Sequence, residues 1–193
     1  MAAINAKFMN DMRMSGLVRD GHFVLHSGLH SGVLLDRDHL LSDPGFASHL
    51  GYVIAKRFFS AMVQTVAAPS MWGAGLAQWV GYFLEPRATV VFAPPVDGGF
   101  DIPASLTGDI LNKRVLLVDN LIFSGKTIAR FADVVQEIGG QVVGAATLWS
   151  TADIKAAGQP IFGVFNGDYP VYQAEDCPFC RSGVPLQLDP PVR

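Results

Sequence analysis

The segment "RVLLVDNLIFSGKTIARFADVVQEIGG" (114–140) constrains the fold of this chain more than any other. Its first part, "RVLLVD" (114–119), is a near-continuous apolar run, typical of a strand covered on both faces. Its last part, "TIARFADVVQEIGG" (127–140), has apolar residues at helical spacing, and the two glycines predict the end of that helix. A buried strand that leads into an amphipathic helix predicts one βα unit of a parallel sheet.

Other segments alternate in the same way. Helices are predicted over about 46–60 and over 73–84, and a long loop over 96–112. Further strands are predicted over 62–70, 88–93, 141–149 and 159–167. The expected fold class is therefore α/β, with a central, mostly parallel sheet flanked by helices. Sheets of this kind bind ligands at the carboxyl ends of their strands, where the residues after 119 lie.

The N-terminal region has a different pattern. "GHFVLHSGLHSGVLLDRDHLL" (21–41) contains two short apolar stretches separated by "HSGLHSG". This pattern predicts a small β-element in a subdomain of its own.

Composition excludes several classes of protein. The net charge of −3 and the scattered basic residues argue against a nucleic-acid partner. No signal peptide begins the sequence, and no run of about 18 apolar residues predicts a membrane span. We therefore expect a soluble, cytoplasmic protein, and the two cysteines fit a reducing compartment.

The tetrapeptide "SGKT" (124–127) matches the end of a nucleotide-binding P-loop, but the rest of that motif is missing. A P-loop requires G-x-x-x-x-G-K-[ST], and its first glycine position is Asn120. The pattern favours a shorter cradle, in which small residues and helix N-terminal amides bind a phosphate monoester. Asp119, one loop earlier, is placed to accept hydrogen bonds from sugar hydroxyls. The segment thus predicts a site for a ribose 5-phosphate.

Three segments resemble one family. "VLLVDNLIFSGKTI" (115–128) resembles the phosphoribosyl pyrophosphate (PRPP) motif of type I phosphoribosyltransferases. "GHFVLHSGLHSG" (21–32) and "CPFCRSGVPL" (177–186) resemble the N-terminal hood and the C-terminal segment of orotate phosphoribosyltransferases. The resemblance implies the type I phosphoribosyltransferase fold as a single domain, 1–193. The hood comprises about 1–45 and about 168–193, and the core about 46–167.

The resemblance also implies the activity and its partners. The expected reaction is displacement of pyrophosphate from PRPP by a nucleobase nitrogen, in a homodimer, with Mg²⁺ bound mainly through PRPP. Asp119 and Asn120 are the implied catalytic residues. The implied 5-phosphate site is Leu121, Ile122, Phe123, Ser124, Gly125, Lys126 and Thr127. The implied pyrophosphate loop is Ser70, Met71, Trp72 and Gly73, and the implied base-binding residues in the hood are His26, Ser27, Gly28, Leu34 and Leu35.

The chain departs from the family pattern at three places. Where the family usually has two adjacent acids, this chain has Asp119 and Asn120, so one negative charge near the sugar is missing. Residues 94–112, which correspond to the catalytic loop, contain no lysine or arginine and three aspartates. His26 and Ser150 occupy positions where the related enzymes carry cations that meet orotate. The leading prediction is an orotate phosphoribosyltransferase-like enzyme of uncertain base. The alternative is a PRPP- or nucleotide-binding protein with weak or no catalysis.

Some residues admit more than one interpretation. Lys126 either faces solvent or contacts a phosphate, and Trp72 either packs against the hood or stacks on a base. Cys177 and Cys180 have metal-ligand spacing, but a structural zinc needs four ligands and the sequence has no second cysteine pair. A packed turn, a zinc site and a redox pair remain as interpretations of these cysteines. No metal bound by the protein itself is predicted.

Overall fold

The computed structural model describes residues 2–25, 28–93, 95–97, 99–151, 155–168 and 170–188. The helices are α1 (Ala2–Met14), α2 (Arg37–Ser42), α3 (Pro44–Arg57), α4 (Met71–Phe83), α5 (Lys126–Glu137) and α6 (Pro178–Arg181). Short 3₁₀ helices cover Phe59–Ala61, Ala104–Asp109 and Ala174–Asp176. The strands are β1 (Val18–Val24), β2 (His30–Leu35), β3 (Thr65–Ala68), β4 (Thr89–Phe92), β5 (Pro95–Val96), β6 (Gly99–Phe100), β7 (Arg114–Ile122), β8 (Gln141–Ser150), β9 (Lys155–Ala156), β10 (Gln159–Asn166), β11 (Val171–Tyr172) and β12 (Gln187–Leu188).

The chain divides into two units. The smaller unit comprises Met1–His39 and Asp168–Arg193, and the larger comprises Leu40–Gly167. The sequence analysis placed the corresponding boundaries at about 45 and at about 168.

The larger unit is built on a parallel sheet. Among its described residues, six strands pair in the order β4-β3-β7-β8-β10-β9. Every neighbouring pair is parallel except β9 with β10. The α/β class with a mostly parallel central sheet is therefore confirmed.

Strand β7 lies inside this sheet, and its sequence explains why. The side chains of residues 115–118 are fully buried, as the continuous apolar run predicts for a strand covered on both faces. The prediction that the strand ends at Asp119 is wrong, because β7 continues to Ile122. Strand β8 is long enough to supply partners there, with Leu121 opposite Trp149 and Ile122 opposite Ser150. Two residues predicted for the phosphate loop are thus strand residues.

Residues 96–112 are more ordered than the long loop that the sequence predicted. The short β5–β6 pair lies at its start, and the 3₁₀ helix of residues 104–109 follows. Three apolar side chains, Phe100, Ile102 and Leu106, pack against the core of the larger unit. The Phe100 ring lies edge-on to Phe131 of α5, with 4.9 Å between centroids. Apolar burial therefore gives this glycine-rich segment a fixed path.

The smaller unit contains the predicted β-element. Strands β1 and β2 form an antiparallel hairpin, and the chain's other end supplies both flanking strands, in the order β11-β2-β1-β12. Helix α1, which the sequence analysis did not assign, precedes the hairpin. Within the part of the chain that the structure describes, no helix combines the length and the apolar character needed to cross a bilayer.

Helices α3 and α4 approach each other closely at Gly51. Helix α3 begins at Pro44, and the Asp43 side chain caps it by accepting a hydrogen bond from the Phe46 amide. A Cβ atom at Gly51 would lie 2.4 Å from Trp79 Cβ and 2.8 Å from the Trp79 carbonyl carbon. The absence of a side chain at Gly51 is what lets α4 pack here.

We expect Gly51→Ala to lower the free energy of unfolding by about 1–3 kcal/mol, because α4 must move away from α3. Alanine favours a helix by about 1 kcal/mol over glycine, so the measured loss is net of that gain. Urea unfolding checks this expectation. The control is Gly108→Ala, whose Cβ would meet nothing within 4 Å, with an expected change of at most about 0.5 kcal/mol. Equal stabilities of the two variants would contradict the close approach.

Candidate functional site

The carboxyl ends of β3 and β7 bring two predicted parts of the site together. The two strands are parallel neighbours, so their following loops leave the sheet at the same edge. After β3, Ser70 is the N-cap of α4. Near the end of β7 lie Asp119 and Asn120. The predicted pyrophosphate loop therefore adjoins the predicted catalytic pair.

A hydrogen-bonded chain joins these two segments. The Ser70 hydroxyl donates to Asp119 Oδ1 over 2.7 Å, and Ser70 Oγ accepts from the Gly73 amide over 2.9 Å. The same carboxylate oxygen also accepts a hydrogen bond from the backbone amide of Asn120 over 2.9 Å. Asp119 is 8% exposed, so this oxygen lies largely out of water. The carboxylate is oriented by two donors and, in turn, holds the first turn of α4.

Gly73 is required by this packing. A Cβ atom there would lie 2.9 Å from the Val118 carbonyl oxygen and 3.0 Å from Asp119 Oδ1. These distances are too short for a side chain of any size. The glycine lets the first turn of α4 lie directly on the end of β7, with its helix N-terminus beside the carboxylate.

Asn120 carries a buried amide group with an unused donor. The residue is 4% exposed, and none of the described residues accepts a hydrogen bond from its Nδ2 atom. A buried donor left unpaired costs about 1–3 kcal/mol. A ligand oxygen at this position would remove that cost.

The loop predicted to form the phosphate cradle is shorter than the sequence suggested. It consists of Phe123, Ser124 and Gly125, followed by the first residues of α5. Gly125 is the N-cap of α5 and has a left-handed φ of 73°, with no side-chain hydrogen bond at the cap. The first amides of α5 have no partner within the helix, which suits them to an anion. Ser124, Lys126 and Thr127 are exposed, consistent with either interpretation of the lysine.

Two predicted cradle residues contribute little through their side chains. Ile122 belongs to the core of the larger unit, and Leu121 is half-buried. Thr151 was not identified from the sequence, yet it holds the loop: its hydroxyl donates to the Phe123 carbonyl over 3.0 Å, and its amide to the Ile122 carbonyl over 3.2 Å. Thr151 lies 24 residues after Thr127, the last residue of the predicted 5-phosphate site, and no sequence motif links the two.

The other two residues of the pyrophosphate loop lie in the first turn of α4. Met71 is exposed, and Trp72 is half-buried.

The predicted base-binding residues belong to the smaller unit. Gly28 has a left-handed φ of 80° and donates from its amide to the Leu25 carbonyl over 2.8 Å, in a tight turn. Leu34 and Leu35 are both 3% exposed in β2. His26 and Ser27 lie outside the described residues.

Ser70→Ala should lower the free energy of unfolding by about 1–2 kcal/mol, because it removes a helix cap and the hydroxyl bound to Asp119. Thermal and urea unfolding provide the measurement. Ser105→Ala, at an exposed site in the 3₁₀ helix of residues 104–109, is the matched control and should change stability by at most about 0.5 kcal/mol. A Ser70 variant as stable as the wild type would show that the hydroxyl does not hold the loop.

Known proteins with similar sequences are phosphoribosyltransferases. The family model "Phosphoribosyl transferase domain" matches residues 47–173. The orotate phosphoribosyltransferase of Thermus thermophilus is 33% identical over 180 residues, which cover 91% of this chain and 95% of that relative.

Solved structures with the same fold include two orotate phosphoribosyltransferases. That of Aeropyrum pernix has a TM-score of 0.65 at 22% identity, covering 81% of this chain and 92% of that one. That of Mycobacterium tuberculosis, in complex with PRPP, has a TM-score of 0.53 at 18% identity, covering 68% and 80%. The matched family model and the Thermus relative together show that this chain belongs to the type I phosphoribosyltransferase family.

Proposed function

We propose that this protein transfers the 5-phosphoribosyl group of PRPP to a nitrogenous base and releases pyrophosphate. The observation that carries the proposal is the hydrogen bond between Ser70 and Asp119. It joins the loop expected to bind pyrophosphate to the acid expected to bind the ribose. Pyrophosphate and ribose are adjacent in PRPP, so their binding groups should be adjacent as well. The relatives named above, which are orotate phosphoribosyltransferases, support the same reaction.

Each part of PRPP has a matching part of the site. The 5-phosphate binds at the N-terminus of α5, through backbone amides and the hydroxyls of Ser124 and Thr127. The ribose hydroxyls donate to the Asp119 carboxylate. The unused Nδ2 donor of Asn120 meets a ribose oxygen, which satisfies the buried amide.

The reaction itself requires little covalent chemistry from the protein. A base nitrogen forms a bond to C1 of the ribose while the bond from C1 to the pyrophosphate oxygen breaks, and the electron pair leaves with pyrophosphate. The sugar gains positive charge in the transition state, so a fixed carboxylate nearby stabilises it. Asp119 is held for this task by two donors.

Magnesium fits this site as a companion of the substrate. The segment 119–127 contains one carboxylate, too few for a cation cage made by the protein alone. Mg²⁺ would bind mainly through the oxygens of PRPP, with Asp119 the nearest protein acid of the motif. When bound, it neutralises charge on the leaving pyrophosphate.

Orotate is the first base to test, because it is the substrate named for the relatives. Ser150, which is neutral and 2% exposed, lies where the family resemblance implies a cation. A less anionic base would need no such partner. The base panel therefore includes uncharged pyrimidines and purines.

The alternative proposal is a PRPP-binding protein without useful turnover. The neutral Asn120 and the absence of lysine and arginine from residues 94–112 favour it. We also propose a homodimer, as the family resemblance implies. A second copy carries the same segment, so residues 94–112 of a partner would not add the missing charge.

The test measures pyrophosphate release from PRPP and Mg²⁺ with orotate, uracil and a panel of purines, and PRPP binding by calorimetry. Wild-type protein should bind PRPP and release pyrophosphate with one base. Asp119→Asn should weaken PRPP binding at least about tenfold, because it removes a charged acceptor worth about 1.5–3 kcal/mol. The asparagine oxygen can still accept from Ser70 and Asn120, so the fold should persist.

Asp133→Asn, at an exposed position of α5, is the matched control and should bind PRPP like the wild type. Binding without release for every base would favour the alternative proposal. A folded wild-type protein that does not bind PRPP would overturn both.

Asn120→Asp should raise the rate of pyrophosphate release by about tenfold, because a second carboxylate stabilises the developing positive charge. The substitution breaks no hydrogen bond of Nδ2 to the described residues. Steady-state kinetics at saturating PRPP measure the effect, with Asn112→Asp as a control of equal charge at an exposed site. An unchanged rate in a folded variant would show that Asn120 does not limit turnover.

A further inference from the structure

Four side chains with metal-binding atoms meet in the smaller unit. They are His22 of β1, His30 of β2, and Cys177 and Cys180 near the C-terminus. Their ligand atoms all lie within 4.8 Å of one another. Two come from a β-hairpin and two from a segment about 150 residues later, so chain proximity does not explain the meeting.

Four of the six distances between these ligand atoms match a tetrahedral metal site. Zn–N bonds of about 2.05 Å and Zn–S bonds of about 2.3 Å place two nitrogens roughly 3.3 Å apart, and a nitrogen and a sulfur roughly 3.6 Å apart. Here His22 Nε2 lies 3.1 Å from His30 Nδ1 and 3.4 Å from Cys177 Sγ. Cys180 Sγ lies 3.3 Å from His30 Nδ1 and 3.7 Å from His22 Nε2. All four distances agree with the tetrahedral values to within about 0.3 Å.

The second ring nitrogen of His22 is already engaged in a way that suits a ligand. His22 Nδ1 lies 2.9 Å from the Val184 carbonyl oxygen, which can only accept, so Nδ1 carries the proton. In the neutral ring Nε2 is then the unprotonated nitrogen, and it faces both sulfurs. A backbone carbonyl that orients a histidine in this way is a common companion of metal ligation.

The turn that carries both cysteines is seated against the hairpin. Phe179 lies over Gly32 of β2, where a Cβ atom would be 2.4 Å from the phenylalanine ring. The His22 and Phe179 ring centroids are 5.6 Å apart. Gly183, with a left-handed φ of 67°, closes the turn by donating to the Cys180 carbonyl over 3.1 Å. The backbone thus directs both sulfurs at the histidines.

Burial makes the cluster costly without a cation. His22, His30 and Cys177 are 1%, 7% and 0% exposed. The Cys180 side chain completes the cluster from its exposed side. The unprotonated His22 Nε2 is thus held out of water, with the His30 ring and both sulfurs as its neighbours.

We propose that His22, His30, Cys177 and Cys180 bind one structural Zn²⁺ ion. Two thiolates and two imidazoles form the donor set that Zn²⁺ prefers, and four protein ligands leave no open position for catalysis. The ion joins the C-terminal segment to the β1–β2 hairpin and so fixes the smaller unit. The proposal does not depend on the proposed transferase activity.

Metal analysis of the wild-type protein, purified under reducing conditions without chelator, tests the site. We expect about one zinc ion per chain, since the cluster supplies a single set of four ligands. Metal-free protein, prepared with a chelator that is then removed, should develop the intense visible bands of a tetrahedral thiolate site when titrated with Co²⁺. The absorbance should saturate at one equivalent of Co²⁺. Zinc should also protect both cysteines from a thiol reagent and raise the melting temperature.

Cys180→Ser should lose most of the bound zinc and the cobalt bands. His39→Gln, at an exposed histidine outside the cluster, is the matched control and should keep both. The wild-type titration decides the matter if the cysteine variant does not fold. Folded wild-type protein that binds neither metal, a Cys177–Cys180 disulfide under reducing conditions, or full zinc content in a folded Cys180 variant would each overturn the proposal.

Discussion

The Asp119 carboxylate is the group on which the rest of the candidate site depends. It accepts from the Ser70 hydroxyl, so one buried oxygen ties the loop after β3 to strand β7, and the Asn120 backbone amide donates to the same oxygen. A buried carboxylate is stable only with such donors. Because Gly73 has no side chain, the first turn of α4 can approach the same oxygen. The Ser70–Asp119 hydrogen bond and the close approach at Gly73 together hold the loop after β3 against the end of β7.

The sequence predicted the core of the fold well, because β7 and α5 carry strong periodic patterns. The fully buried run 115–118 and the stripe of apolar residues in α5 are both local signals. The strand end was misplaced because its last pairs depend on the length of β8, which lies about 20 residues further along the chain. The structure within residues 96–112 was missed because a few apolar side chains hold this segment to the core, and they form no periodic pattern in the sequence.

The site was predicted in part for a similar reason. Motif residues such as Asp119 and Gly125 lie in one short segment, where spacing can be read. The hydrogen bond between Ser70 and Asp119 joins residues 49 apart, and the His22–Cys177 contact joins residues 155 apart. Only the folded chain supplies those partners. The cysteine pair alone offered two ligands, and its histidine partners had no fixed spacing from it.

The charge distribution decides how such a site could work. In the proposed reaction, Asn120 would bind a sugar oxygen but carries no charge to stabilise a developing cation, so that task would fall to Asp119. Residues 94–112 contribute aspartates and no lysine or arginine, so they do not offset the charge of a diphosphate. If the proposed transfer takes place, positive potential for the leaving group would come from helix N-terminal amides and from Mg²⁺ carried by the substrate. A chain of this composition would therefore depend on its divalent cation more than a relative with a basic loop.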